Sequence, residues 1–169
     1  MNKIEPSEMT ISVLGTLGAP GSTVRSYIDL SQIASLVNRR FYRQGINWAV
    51  AGFKVGAGGA GTVQISKLPN SWVCSNAWEK AFRAWNRQQK EALDDAGGQS
   101  AMAKFRDFKV FMDTEHVDRF ISNGSDLNAT NLMPISFGAL AAGGEWQPSR
   151  IVLPNTVDVG GPGVNIAPV

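Results

Sequence analysis

Apolar and polar positions alternate with a period of two through much of this chain, the pattern of half-buried strands. Ile11 and Val13 share one face of Thr10–Leu14, and Val24–Leu30 carries a weaker version of the same pattern. Ile46, Trp48 and Val50 alternate cleanly. The phase then slips at Ala51-Gly52 before Phe53 and Val55 resume it, which reads as a β-bulge. Val63 and Ile65 extend the alternation over Thr62–Leu68 until Pro69-Asn70 ends it. Phe108, Val110 and Met112 make a further strand, and Ile151–Leu153 a last one. Short strands between turn clusters, without regular strand–helix alternation, predict a mainly β protein built as an antiparallel β-sandwich.

Two segments change period. Asp29 or Ser31 can cap a short helix over about 30–39, with Leu30, Ile33, Ala34 and Val37 on one face. A long amphipathic helix is predicted over about 76–96, opening with Asn76 three residues before Glu79 and ending at Gly97-Gly98. Trp78, Phe82, Trp85 and Leu93 form its apolar stripe, and Lys80, Arg83, Arg87 and Lys90 line another face. Residues 1–155 read as one domain. The tail from Thr156 to Val169, rich in Gly, Pro and Val, reads as an extended arm or a frayed terminus.

Composition adds modest constraints. The chain has 169 residues, 43% of them hydrophobic, which suffices for one domain with a core. A single cysteine, Cys74, excludes an intrachain disulfide and leaves too few thiolates for a structural zinc site. No basic n-region with a long apolar run opens the sequence, and no stretch approaches a membrane span, so a soluble protein without an export signal is expected. Asn123 and Asn128 fit the glycosylation pattern but read as polar loop residues.

Net charge is only +2, yet thirteen Lys/Arg face six Asp/Glu between Arg25 and Lys109, while three face eight outside that stretch. A basic middle with acidic ends suggests a polyanion-facing surface or complementary patches that meet between copies. Arg39-Arg40-Phe41-Tyr42-Arg43 gathers three guanidinium groups around two rings, a composition suited to phosphate contact and base stacking, or to a structural corner of paired arginines. The cations of the long helix can equally be a solvated face, with Glu79 supporting Arg83.

The chemistry-bearing motifs argue against an enzyme. Gly56 to Gly61 satisfies G-x-G-x-x-G, but a nucleotide fingerprint needs a helix at its third glycine, and Thr62–Ser66 has period two. The glycine run therefore reads as a hairpin connection between two antiparallel strands, and no cofactor is expected. His116 is the only imidazole; Asp113, Glu115 and Asp118 could tune it or ligate a metal with it, although a solvated loop histidine is the simpler reading. Neither a nucleophile elbow nor a metal-ligand spacing is present, so no metal is expected.

Several ordered words carry a family resemblance. Arg39-Arg40-Phe41-Tyr42-Arg43-Gln44-Gly45 is followed by Trp48-Ala49-Val50-Ala51-Gly52, then Leu68-Pro69-Asn70-Ser71-Trp72, Asn76-Ala77-Trp78-Glu79-Lys80 and Phe82-Arg83-Ala84-Trp85. Arg106-Asp107-Phe108-Lys109-Val110, Gly144-Glu145-Trp146 and Ile151-Val152-Leu153-Pro154-Asn155 come later. In this order, over about residues 25–155, the chain resembles the capsid proteins of small circular single-stranded DNA viruses. The resemblance implies a viral single jelly roll that self-assembles into an icosahedral shell around a single-stranded DNA genome, located in the virion and, during assembly, inside the host cell. It departs from the family in lacking an Arg/Lys-rich start and in its length, so the jelly roll would be incomplete or reduced.

The expected partners are therefore other copies of this chain and single-stranded DNA bound without sequence preference, with no membrane and no small-molecule substrate. Arg39, Arg40, Arg43, Lys80, Arg83, Arg87 and Lys90 are the candidate nucleic-acid-binding residues. The alternative is a monomeric single-stranded nucleic-acid-binding module using the cluster at 39–43. An enzyme built on His116 with Asp113 or Asp118 is a third reading.

Overall fold

The computed structural model describes residues 7–45, 47–97, 108–135, 148–152 and 166–168. Four helices dominate them: α1 (Leu30–Asn38), α2 (Trp72–Asp95), α3 (Thr114–Ser122) and α4 (Leu127–Thr130). The one sheet among these residues has two short antiparallel strands, β1 (Arg150–Val152) and β2 (Ile166–Pro168), with Ile151 opposite Ala167. The expected antiparallel β-sandwich, and with it the jelly roll, is not what these residues form.

The reason lies in where the backbone hydrogen bonds go. Period-two alternation describes which side chains share a face; it does not supply a neighbouring strand. Thr10–Leu14 makes only an isolated bridge, Val13 to Pro134, and Val24–Leu30 only one, Tyr27 to Asn131, before turning into α1. At Val110 a side chain replaces the ladder. The Gln44 Nε2 donates to the Val110 carbonyl at 3.1 Å, and the Gln44 Oε1 accepts from the Val110 N–H at 2.6 Å. Ser149 does the same for Lys109, accepting its N–H at the hydroxyl and donating its own N–H to its carbonyl. The two runs flanking Gly56–Gly61 pair neither with each other nor with any other described residue, so the expected hairpin is absent.

Helix boundaries follow their caps. Asp29, rather than Ser31, caps α1, its carboxylate accepting from the N–H groups of Ser31 and Gln32. Helix α2 starts four residues before the expected Asn76, because the Ser71 hydroxyl accepts from the Cys74 N–H and Asn76 lies inside the helix. It ends at Asp95, and Gly97 takes the left-handed conformation at φ +64°. Helix α3 stands where a loop was expected. Asp113 caps it by accepting from the His116 N–H, and Gly124 closes it in a Schellman pattern, with Ser125 N–H donating to Phe120 and Gly124 N–H to Ile121.

Two apolar clusters lie on either side of the 108–111 segment. Phe108 joins Trp85 and Ile151, with Trp78, Phe82 and Val110 packed around them. Phe111 joins Phe120 and Leu127, with Val117 alongside. Trp78 stacks on Phe82 with ring centroids 5.2 Å apart, and Phe108 meets Trp78, Phe82 and Trp85 at 5.5 to 5.7 Å. Such a ring cluster adds geometric preference to plain area burial. Of the expected C-terminal tail, Ile166–Pro168 is strand β2; residues 156–165 and the words at 106–107 and 144–146 lie outside the described residues.

Candidate nucleic-acid and assembly interface

The loop that follows α1 is tied down by that helix's own hydroxyls. The Ser35 hydroxyl donates to the Ser31 carbonyl and accepts from the Tyr42 N–H, and the Ser31 hydroxyl donates to the Arg43 carbonyl while accepting from the Trp48 indole N–H at 3.0 Å. Gly45 sits against Trp78, where an added Cβ would lie 3.5 Å from the ring. With its backbone fixed, the loop presents Arg39, Arg40 and Arg43 as exposed side chains around the half-exposed Phe41.

Arg39 itself ends α1 in the left-handed region, at φ 50° and ψ 37°, with the Arg40 N–H reaching back to the Ser35 carbonyl. Glycine is the usual residue there, and a side chain costs about 1 kcal/mol. The chain thus holds a guanidinium where local stability favours glycine.

Helix α2 separates its two stripes. At about 100° per residue, Lys80, Arg83, Arg87 and Lys90 fall on the side opposite Trp78, Phe82 and Trp85, and all four cations are exposed. Arg83 pairs with Glu79 at 2.7 Å, an exposed i,i+4 contact of small energetic weight. The aromatic stripe is core, so it offers no stacking platform for bases. Both groups of expected nucleic-acid-binding residues are therefore solvent-facing, one on a braced loop and one along a helix.

His116 is not the solvated loop residue expected. It is buried on α3, its Nδ1 accepting from the Met112 N–H at 3.2 Å and its Nε2 within 2.8 Å of the Asn131 side-chain Oδ1. Asn131 in turn donates to the fully buried Gln32 at 2.8 Å. These bonds fix the neutral ring with its proton on Nε2, and burial pushes its pKa down. Tyr27 stacks on the ring at 4.1 Å and donates its hydroxyl to Asp113 at 2.8 Å. Asp113 is held below the usual carboxylate range by the His116 N–H and the Tyr27 hydroxyl. Glu115 meets Arg25 at 2.6 Å and Arg119 at 3.2 Å. His116 thus ties α3 through Asn131 to Gln32 of α1, Asp113 and Glu115 engage Tyr27, Arg25 and Arg119, and Asp118 stands exposed on α3. Among the described residues there is no cluster of metal-ligating side chains and no helix long and apolar enough to cross a membrane.

A feature the alternation obscured is the segment from Trp48 to Leu68. Val50, Phe53, Val55, Val63, Ile65 and Leu68 are each 48% to 59% exposed. Comparison with known proteins adds no relative: no family model, no curated protein and no solved structure matches this chain.

Proposed function

We propose that this protein is a structural coat subunit that self-assembles and encloses single-stranded DNA without reading its sequence. The observation that carries this reading is the row of four exposed cations on α2, set opposite the face that anchors the helix in the core. A row of that kind neutralises phosphates wherever they fall and has no fixed donor pattern for base edges. The exposed Arg39, Arg40 and Arg43 extend the basic surface. The ordered words shared with single-stranded DNA virus capsid proteins support the same role and a virion location; the fold that resemblance implied plays no part in the proposal. Assembly draws support from the exposed apolar residues between Val50 and Leu68, more than scattered surface residues require.

The test combines electron microscopy of the purified protein with fluorescence-anisotropy titrations of single-stranded DNA at several salt concentrations. Closed or regular particles and a steep loss of affinity with salt are expected. Replacing Lys80, Arg83, Arg87 and Lys90 by Gln should flatten the slope of log affinity against log salt by about 3, at roughly 0.7 per phosphate contact on a single strand. Absence of DNA binding, or an unchanged slope, removes the nucleic-acid half of the proposal.

A second reading, a monomeric single-stranded nucleic-acid-binding module, is favoured by Phe41, 50% exposed between Arg40 and Arg43 in sequence with the Lys109 ammonium 6.0 Å from its ring centroid, a cation–aromatic composition suited to single strands. It predicts 18.2 kDa monomers that bind DNA, with Phe41→Ala weakening binding and no particles forming.

A further inference from the structure

We propose that residues 47–68 are an assembly arm that forms β-strand pairs with the same segment of a second copy of this chain. This inference rests on the self-assembly proposed above and names the segment that carries it. Trp48 roots the arm through its indole N–H on Ser31. Beyond it, from Ala49 to Leu68, no backbone N–H or carbonyl has a hydrogen-bond partner among the described residues. The side chains of Val50, Phe53, Val55, Val63, Ile65 and Leu68 are about half exposed. Unpaired backbone beside alternating apolar side chains is a strand edge without a neighbour, the template used in β-augmentation.

The chemistry of the occupant follows from what else is free. Such an edge needs another period-two strand with open backbone groups. The 108–111 segment does not offer one, since Gln44 and Ser149 occupy the groups of Val110 and Lys109. Strands β1 and β2 are three residues each, too short to match the runs at 49–55 and 62–68. Thr10–Leu14 is bridged at Val13 to Pro134, with its Ser12 carbonyl accepting from the Ile135 N–H. Among the described residues the matching open segment of comparable length is 47–68 itself, and two copies related by a twofold axis present it to each other self-complementarily. The glycine run at 56–61 lets the two halves bend to meet that partner. Each half carries a single charge, Lys54 or Lys67, and no acid lies between Asp29 and Glu79. A lysine on each edge limits stacking beyond the intended pair.

The experiment uses the full chain at a concentration where the wild type assembles, with mass read by light scattering after gel filtration and amide hydrogen exchange read by NMR or mass spectrometry. The double substitution Phe53→Asp, Ile65→Asp should yield monomers with an unchanged helical circular-dichroism spectrum and retained salt-dependent DNA binding. In the wild-type assembly, amides of 49–55 and 62–68 should be protected, and dilution to monomers should release them. Rapid exchange of those amides within assembled wild type overturns the arm. So does assembly of the double variant at wild-type concentration. A wild type that stays monomeric throughout overturns both the arm and the coat proposal. Should the variant lose its helical spectrum, the wild-type exchange pattern alone decides.

Discussion

Two regions of this molecule invert the usual relation between polarity and burial. Around α1 and α3, Ser31, Gln32, His116, Thr130 and Asn131 are buried although polar. Between Val50 and Leu68, valine, isoleucine, leucine and phenylalanine side chains stand about half in solvent. Burial here follows the availability of partners. Each buried polar group has a donor or acceptor in reach, so its desolvation is offset, whereas the apolar segment lacks a neighbouring strand among the described residues. The first region is satisfied within one copy; in the arm proposed above, the second is covered by another.

The sharpest way to break this contrast is to remove the centre of the polar region. His116→Ala leaves the Met112 N–H and the Asn131 side-chain Oδ1 without their partner and strips the ring from beneath Tyr27. A loss of about 3 kcal/mol in unfolding free energy is expected, measurable by urea denaturation of the monomer. A change within about 0.5 kcal/mol, the range of ordinary surface substitutions, would show that the network is not what holds α1 to α3.

Acidification attacks the same region more gently. Burial lowers the His116 pKa below its ordinary value of 6.5, so the unfolded chain takes up the proton first. The contribution of the neutral ring is complete above pH 6.5 and disappears as pH falls through the folded-state value. A proton on Nδ1 would then face the Met112 N–H. Asp113, also lowered, contributes above 3.8 and loses that contribution on further acidification. Stability should therefore fall in two stages on acidification, and His116→Gln should abolish the first while leaving the second. A single stage in the wild type would contradict the assignment.

How much of this the sequence discloses depends on what each signal measures. Helix periodicity places α1 within a residue and α2 within a few, because the stripe of Trp78, Phe82 and Trp85 encodes the face that packs. The start of α2 is missed because Ser71, not Asn76, provides the cap, and only geometry distinguishes two capable polar residues. Helix α3 is missed although Asp113 and the spacing of Val117 and Phe120 signal it, since the short apolar run at 108–112 and the following acids suggest a strand and loop. The sandwich fails for a deeper reason: alternation at 48–68 is equally compatible with an intramolecular sheet and with a strand awaiting another chain. The cations of the candidate surface were legible because charge needs no tertiary context to be exposed. The polar network was not, since Gln32 and Asn131 lie far apart in the chain and meet only through the fold.

A smaller effect separates stability from binding at the end of α1. Arg39 holds a left-handed conformation that glycine adopts freely, as Gly124 does at the end of α3. Arg39→Gly should raise stability by about 1 kcal/mol. If Arg39 touches a phosphate, the same change should reduce the salt slope of single-stranded DNA binding by about 0.7. Higher stability with weaker binding is the expected pair, read by denaturation and anisotropy on one preparation. Raised stability with unchanged binding removes Arg39 from the nucleic-acid surface.

The smallest expected effect bears most directly on the contrast. Phe53→Ala removes a ring that is 59% exposed, so monomer stability should change by no more than about 0.5 kcal/mol. A buried phenylalanine such as Phe108 would cost about 3 to 5 kcal/mol on the same truncation. The measurement is urea denaturation at a dilution where assembly has dissolved, for both variants side by side. A large loss from Phe53→Ala would mean that the arm packs within its own chain and that the apolar exposure between Val50 and Leu68 does not describe the molecule in solution. Near-equality with wild type, together with weakened assembly at high concentration, assigns the value of Phe53 to contacts between copies.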